Sequence, residues 1–321
     1  MSPESVGPYR ILEPLREGRL SSVYKARGPG DRLVAVKVFT SELLDTPAAA
    51  ERFERELDAV APLSHPNILQ LLASGHDGGR FYVATELFAG DSLERLLKQR
   101  RLTVPEAIAV AKGMCRGLAY AHQRGFAHRH LTPRHVLVAA DLRAVKLADF
   151  GPSEIDVSSE LDSMLRTGAY ALGSFHYLAP EQLEARDAHP RAAAGPAGST
   201  SGDPRADLYS VGAILLEMLT GRPPAGKITL PSQSNAELPP ATDVLVLKCL
   251  ARNPEQRYAS ADELLADLEK LEEALRVRLL GHLRGISRLL GVPGSRRRTA
   301  VVAALLALLA AVVAAGYFAV R

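Results

Sequence analysis

Tryptophan is absent from this 321-residue chain, and cysteine occurs only twice, at Cys115 and Cys249. The missing tryptophan decides nothing about function. So few cysteines exclude a disulfide-built fold. Lying far apart in apolar helical patterns, they read as buried, reduced thiols suited to a reducing cytosol, with a redox pair as the alternative. Acidic residues are missing from 275–298, a stretch that carries seven arginines. Without those seven and Arg321, 31 basic residues face 36 acidic ones. The body of the chain is therefore mildly acidic, and no basic nucleic-acid footprint is supported on it. Residues 1–8 are short and polar, and no signal peptide is expected there.

What is present is a large apolar fraction, 47% hydrophobic residues against 23% charged. That suffices for one globular unit with a sizeable core. Near the C-terminus, Thr299 to Val320 runs without a charge, Asn, Gln or Pro. As a helix it spans roughly 33 Å, the hydrocarbon thickness of a bilayer, so a transmembrane anchor at 299–320 is expected. A buried soluble helix is the alternative. Arg296, Arg297 and Arg298 precede the run, and the positive-inside rule then puts the globular part in the cytoplasm. Only Arg321 follows, so no extracytoplasmic sensor is expected. Between 275 and 298, Val277, Leu280, Leu283 and Ile286 recur at helical spacing among the arginines. This segment reads as a basic amphipathic juxtamembrane helix lying on anionic lipid. Packing back on the globular part, or pairing with itself, is the alternative.

The chemistry-bearing motifs lie upstream. Residues 128–135 read His-Arg-His-Leu-Thr-Pro-Arg-His, and His135 stands fourteen residues before Asp149-Phe150-Gly151. Val34-Ala35-Val36-Lys37, Glu56, His65-Pro66-Asn67-Ile68, Ala179-Pro180-Glu181, Asp207 and Arg257 complete an ordered series. Together they resemble the protein kinase family, most closely the bacterial Ser/Thr kinases of eukaryotic-like type. The resemblance runs from about Tyr9 to Leu271. It implies an α+β bilobal fold, a small β-rich lobe and a larger helical one. The expected division is a tail at 1–8, a kinase-like domain at 9–274, the juxtamembrane segment at 275–298 and the membrane helix at 299–320.

The resemblance also implies a nucleotide cleft for ATP with magnesium or manganese. Lys37 would bind phosphate and Glu56 would position it, although such a pair can also be structural. Val23 and Ala35 would cover the base, with Thr85 as gatekeeper and Glu86 to Phe88 as the hinge. Asp149 would hold the metal. The family's glycine-rich turn falls on Arg16-Glu17-Gly18-Arg19-Leu20-Ser21, where Gly18 alone survives. Glycines let backbone N–H groups approach phosphate; here Arg16 or Arg19 could meet it instead, or the hairpin simply covers the cleft.

The family's loop reads His-Arg-Asp-x-Lys-Pro-x-Asn. Three chemical positions are replaced, by His130, Thr132 and His135. The lost Asp accepts the substrate hydroxyl's proton and the lost Asn holds a magnesium ion. The resemblance therefore implies a pseudokinase, a scaffold or allosteric regulator for protein partners such as active kinases or their substrates, in a plasma or inner membrane. An atypical active kinase using His130 as base, and a nucleotide-sensing module, are the alternatives. His130, His135 and Asp149 in one cleft would also suit zinc, manganese or iron, with His135 and Asp149 as the metal candidates. Arg129 is retained, and in the family it docks a phosphorylated residue of the segment 149–181. His128, Phe150, Glu181, Asp207 and Arg257 are expected to be scaffold.

Overall fold

A computed structural model describes residues 4–18, 21–39, 47–151, 173–188, 203–225, 228–236 and 238–289. The expected membrane span, Arg296 to Arg298, Arg19, Leu20 and the candidate phosphorylation sites between 152 and 172 lie outside them. Among the described residues no helix is long and apolar enough to cross a membrane. The chain divides into two units, residues 1–270 and 271–321.

The first unit begins with a six-stranded antiparallel sheet in the order β1-β2-β3-β4-β6-β5. Its strands are β1 (Ser5–Val6), β2 (Tyr9–Arg16), β3 (Ser21–Arg27), β4 (Leu33–Phe39), β5 (Leu71–Asp77) and β6 (Arg80–Glu86). Helix α1 (Pro47–Val60) lies between β4 and β5 in sequence. Strand β4 sets the logic of this sheet. Val34, Val36 and Val38 alternate onto one face and are buried with Tyr9, Tyr24 and Tyr82. Each buried valine contributes about 1.5–3 kcal/mol. The period of two then forces Ala35 and Lys37 onto the other face. Register extends that face sideways: Val23 and Val83 flank Lys37, while Lys25 and Thr85 flank Ala35. The apolar pattern of one strand thus delivers Val23, Ala35, Lys37 and Thr85 to one surface.

The rest of this unit is mainly helical: α2 (Leu93–Gln99), α3 (Val104–His122), α4 (Pro180–Ala188), α5 (Arg205–Thr220), α6 (Pro231–Ser234), α7 (Pro240–Cys249) and the start of α8 (Ala261–Leu289). A small sheet of β7 (Asp91–Ser92), β8 (Val136–Val138) and β9 (Val145–Leu147) lies among them. Glu106 starts α3 by accepting the Thr103 N–H at 2.7 Å. Farther along, a side chain at Gly117 would come within 2.7 Å of the Asn67 carbonyl, so glycine lets α3 seat against the 65–68 turn. Asn67 in turn gives its Nδ2 to the Val145 carbonyl at 2.8 Å and accepts the Leu147 N–H at 2.9 Å. The exit of α1 is thereby stitched to β9, the strand that leads into Asp149.

Cys115 and Cys249 are both free and buried, and burial pushes both thiols up, Cys249 to about 12. Both are inert fillers of the helical core. The last helix, α8, starts at Ala261 and continues without interruption through 274–275 to Leu289. In the second unit the described residues form only this continuation.

Candidate functional site

The loop 128–135 is held from below by one carboxylate. Asp207, in the first turn of α5, is fully buried. Its Oδ2 accepts the His128 N–H at 2.7 Å and contacts His122 Nε2 at 2.8 Å, and its Oδ1 accepts the Arg129 N–H at 2.7 Å. Burial opposes its charge, but the His122 hydrogen bond and the other donors hold its pKa below the usual carboxylate value. Arg129 takes a left-handed conformation with φ of 66°, as does Asp149 with φ of 62°. For non-glycine residues such backbone costs about 1–3 kcal/mol and persists only where its surroundings enforce it.

A second brace closes the far side. Arg257 forms two parallel bonds of 2.7 Å to Glu181 and donates further to the Ala251, Arg205 and Arg252 carbonyls. Gln182 spans the two braces, donating to the Arg129 carbonyl at 2.7 Å while accepting the Ala179 N–H.

Above this scaffold the reactive positions are histidines. Pro133 opens a short 3-10 turn that brings His135 back beneath the loop, and the Ala148 N–H bonds the His135 carbonyl at 2.8 Å. That bond places the imidazole beside Asp149. His135 Nδ1 lies 2.7 Å from the His130 carbonyl. A carbonyl only accepts, so Nδ1 carries the proton, and the lone pair sits on Nε2, 3.8 Å from Asp149 Oδ2. Burial, despite the nearby carboxylate, pushes the His135 pKa down to about 3, so this ring is neutral near pH 7. Lys37 Nζ lies 3.3 Å from Asp149 Oδ1. Burial would raise the Asp149 pKa, but Lys37 foremost, with His135 and Arg16 behind it, holds it well below the carboxylate range.

His130 is 4% exposed and packs edge-on to His135, ring centroids 5.2 Å apart. It lines a cavity of about 60 Å³ together with Lys37, Thr85, His135 and Asp149, closed on the apolar side by α1 and Phe150. Its carbonyl, rather than its ring, anchors His135. Among the described residues no group of three His, Cys, Asp or Glu could hold a metal ion. His130, His135 and Asp149 do not form such a group, and only the His135–Asp149 distance, 3.8 Å, is that of a close pair. His128 has the expected scaffold role: Nε2 meets the Ala148 carbonyl at 2.9 Å and the ring tilts against Phe150 at 4.7 Å.

Gly18 follows β2, and an added Cβ there would lie 2.8 Å from the Ser21 carbonyl. Arg16 pairs in register with Val23, and its Nε is buried without a hydrogen-bond partner. At the hinge, Glu86 turns its carboxylate to Lys146 at 2.7 Å and to the Gln70 N–H at 2.9 Å, while its carbonyl accepts the Thr85 hydroxyl. The Gly90 N–H bonds the Phe88 carbonyl. Glu56 stands on α1, half-buried. Sequence reasoning missed Lys146, His122 and Gln182. A lone lysine between Val145 and Leu147 was the available signal for Lys146.

The match to known proteins is decisive about family. Residues 9–268 match the protein kinase domain. This chain belongs to the protein kinase family. A probable serine/threonine-protein kinase of Clostridium perfringens is 32% identical over 83% of this chain and 38% of its own length. The serine/threonine-protein kinase PknB of Mycobacterium tuberculosis is 33% identical over 82% of this chain and 42% of its own. The chain thus spans about two fifths of these curated bacterial relatives. A crystal structure of a point variant of the M. tuberculosis PknI kinase domain aligns with a TM-score of 0.63 and 25% identity, covering 83% of this chain and 96% of that one. The bilobal kinase fold is established.

The family uses ATP with magnesium or manganese. Magnesium demands oxygen ligands at nearly ideal octahedral geometry. Here one carboxylate, already engaged by Lys37, faces an imidazole nitrogen where the family supplies a second oxygen. These donors do not fit magnesium.

Proposed function

We propose that this protein is a pseudokinase that binds ATP weakly and acts as a scaffold or allosteric regulator for protein partners. The observation that carries this reading is His130. At the position of the catalytic carboxylate stands a buried imidazole, with no fixed negative charge to orient a substrate hydroxyl. Loss of a positioned base typically costs about 10²–10⁴ in rate. Thr132 removes the cation that would stabilise the transferring phosphoryl group, and His135 weakens metal binding. Anchorage by 299–320, with the domain on the cytoplasmic side, belongs to the same proposal and rests on the apolar run and its flanking arginines.

One observation favours a second reading. Lys37 still meets Asp149, and Asp149 keeps its left-handed backbone, so the frame of an active cleft persists. An atypical Ser/Thr kinase with His130 as base would use that frame. Transfer from γ-labelled ATP by the full chain, with magnesium and manganese supplied separately, separates the two. We expect no transfer above a Lys37→Met blank. Transfer that vanishes in the blank overturns the pseudokinase reading.

A further inference from the structure

The poor fit to magnesium has a positive counterpart. His135 Nδ1 is tied to the His130 carbonyl at 2.7 Å, with the Thr132 hydroxyl 3.3 Å away. Metal-binding imidazoles are oriented in this way, the second ring nitrogen donating to a carbonyl so that the first points its lone pair outward. Nε2, which carries the lone pair, lies 3.8 Å from Asp149 Oδ2. Two ligands of a tetrahedral first-row ion sit roughly 3.3 Å apart, given bonds of about 2.0–2.1 Å. A carboxylate rotation of about 0.5 Å closes that difference, which Asp149, at 31% side-chain exposure, can accommodate. The His135 side chain is 5% exposed and cannot swing away to water.

We propose that His135 and Asp149 form a mixed nitrogen–oxygen pair that shifts the cation preference of this cleft from magnesium to a first-row transition ion such as cobalt(II) or zinc(II), completed by nucleotide phosphate and water. The proposal rests on the nucleotide binding proposed above. Two protein ligands are too few for a structural site, so the remaining positions belong to exogenous oxygens. Charge makes the same demand. Lys37 stands 3.3 Å from Asp149 Oδ1, so a bare dication meets a carboxylate whose charge is already shared with a lysine. Phosphate supplies the compensating negative charge, and the ion enters with the nucleotide.

Any nitrogen-containing site favours cobalt over magnesium, so the decisive quantity is how the preference changes when the nitrogen is removed. The test uses the full chain, a fluorescent non-hydrolysable ATP analogue, and titrations with MgCl₂, CoCl₂ or EDTA. His135→Asn replaces imidazole by the amide oxygen, and thermal melts confirm that it folds. We expect the cobalt-to-magnesium affinity ratio to fall about tenfold or more in H135N, the range set by losing a positioned ligand. The visible absorption of bound cobalt should change with it, and Asp149→Asn should remove the effect of both ions. Equal ratios in wild type and H135N, with nucleotide still bound, overturn this inference and leave the nucleotide reading standing. Failure to bind the analogue under any ion condition overturns both.

Discussion

Within the loop 128–135 two sets of residues sit side by side and have met different fates. His128 and Arg129 are held through their backbone N–H groups by Asp207, and the far side is locked by Arg257 and Glu181. His130, Thr132 and His135 project the side chains that would do chemistry, and all three differ from the family pattern. The bracing reads backbone, so it places no demand on what those three side chains are. The kinase frame at 128, 129 and 207 is therefore held independently of the side chains at 130, 132 and 135. Conversely, the shape alone is no evidence of activity. The strain at Arg129 and Asp149 fits this division, since its cost is offset by the scaffold whether or not catalysis remains.

The strongest way to break the comparison is to give the reactive set back. His130→Asp with Thr132→Lys and His135→Asn should raise phosphate transfer by about 10²–10⁴, the usual worth of a positioned base. If the triple variant stays at the Lys37→Met blank, the frame is not preserved after all. The next largest effect attacks the scaffold. Asp207→Ala leaves His122 and two backbone donors without their buried acceptor and should cost about 3–5 kcal/mol. At roughly 2–4 °C per kcal/mol that lowers the melting temperature by about 10 °C. Arg257→Met should fall in the same range, because it leaves Glu181 and three carbonyls without their donor.

A smaller effect lies in pH. Burial pushes the His135 pKa down to about 3 in the folded chain, against 6.5 for an ordinary histidine. The unfolded chain thus takes up a proton below pH 6.5 that the folded chain refuses until about pH 3. Its contribution is complete about a unit above pH 6.5 and is lost as pH falls, by at most about 1.4 kcal/mol per unit. Urea unfolding with EDTA present should show wild type losing about 1.6 kcal/mol more than H135N between pH 6.5 and 5. Parallel curves would mean that the ring is solvated.

The fold and the scaffold half of the site were legible because each rests on residues whose type is nearly dictated by its task. Alternating valines fix the β4 face, and the frame motifs follow in order and spacing. The reactive substitutions were equally visible. What could not be read is pairing at long range. Nothing local says that Lys146 meets Glu86 across 60 residues, or that His122 reaches Asp207 across 85. At Gly18 the sequence pointed to phosphate approach; that an added Cβ would also meet the Ser21 carbonyl at 2.8 Å is a packing fact no motif carries. His130 could be named as a replaced base, but only packing tells that its carbonyl serves His135 while its ring does not join a metal set. Sequence carries residue type; tertiary packing decides which atom of the residue is used.

The smallest predicted effect gives the cleanest control. Helix α4 and the 251–257 turn are joined by two arginine–glutamate pairs, with contacts of 2.7 Å for Arg257–Glu181 and 2.6 Å for Arg252–Glu184. Distance does not distinguish them. Exposure does: the side chains of Arg257 and Arg252 are 0% and 85% exposed. Water solvates Arg252 and Glu184 almost as well apart as together, and salt screens what remains. Arg252→Met should therefore leave the melting temperature unchanged within error, in low and high salt alike, where Arg257→Met lowers it sharply. A comparable loss from both would show that the brace works by charge alone, and that burial of Arg257 among backbone carbonyls adds nothing.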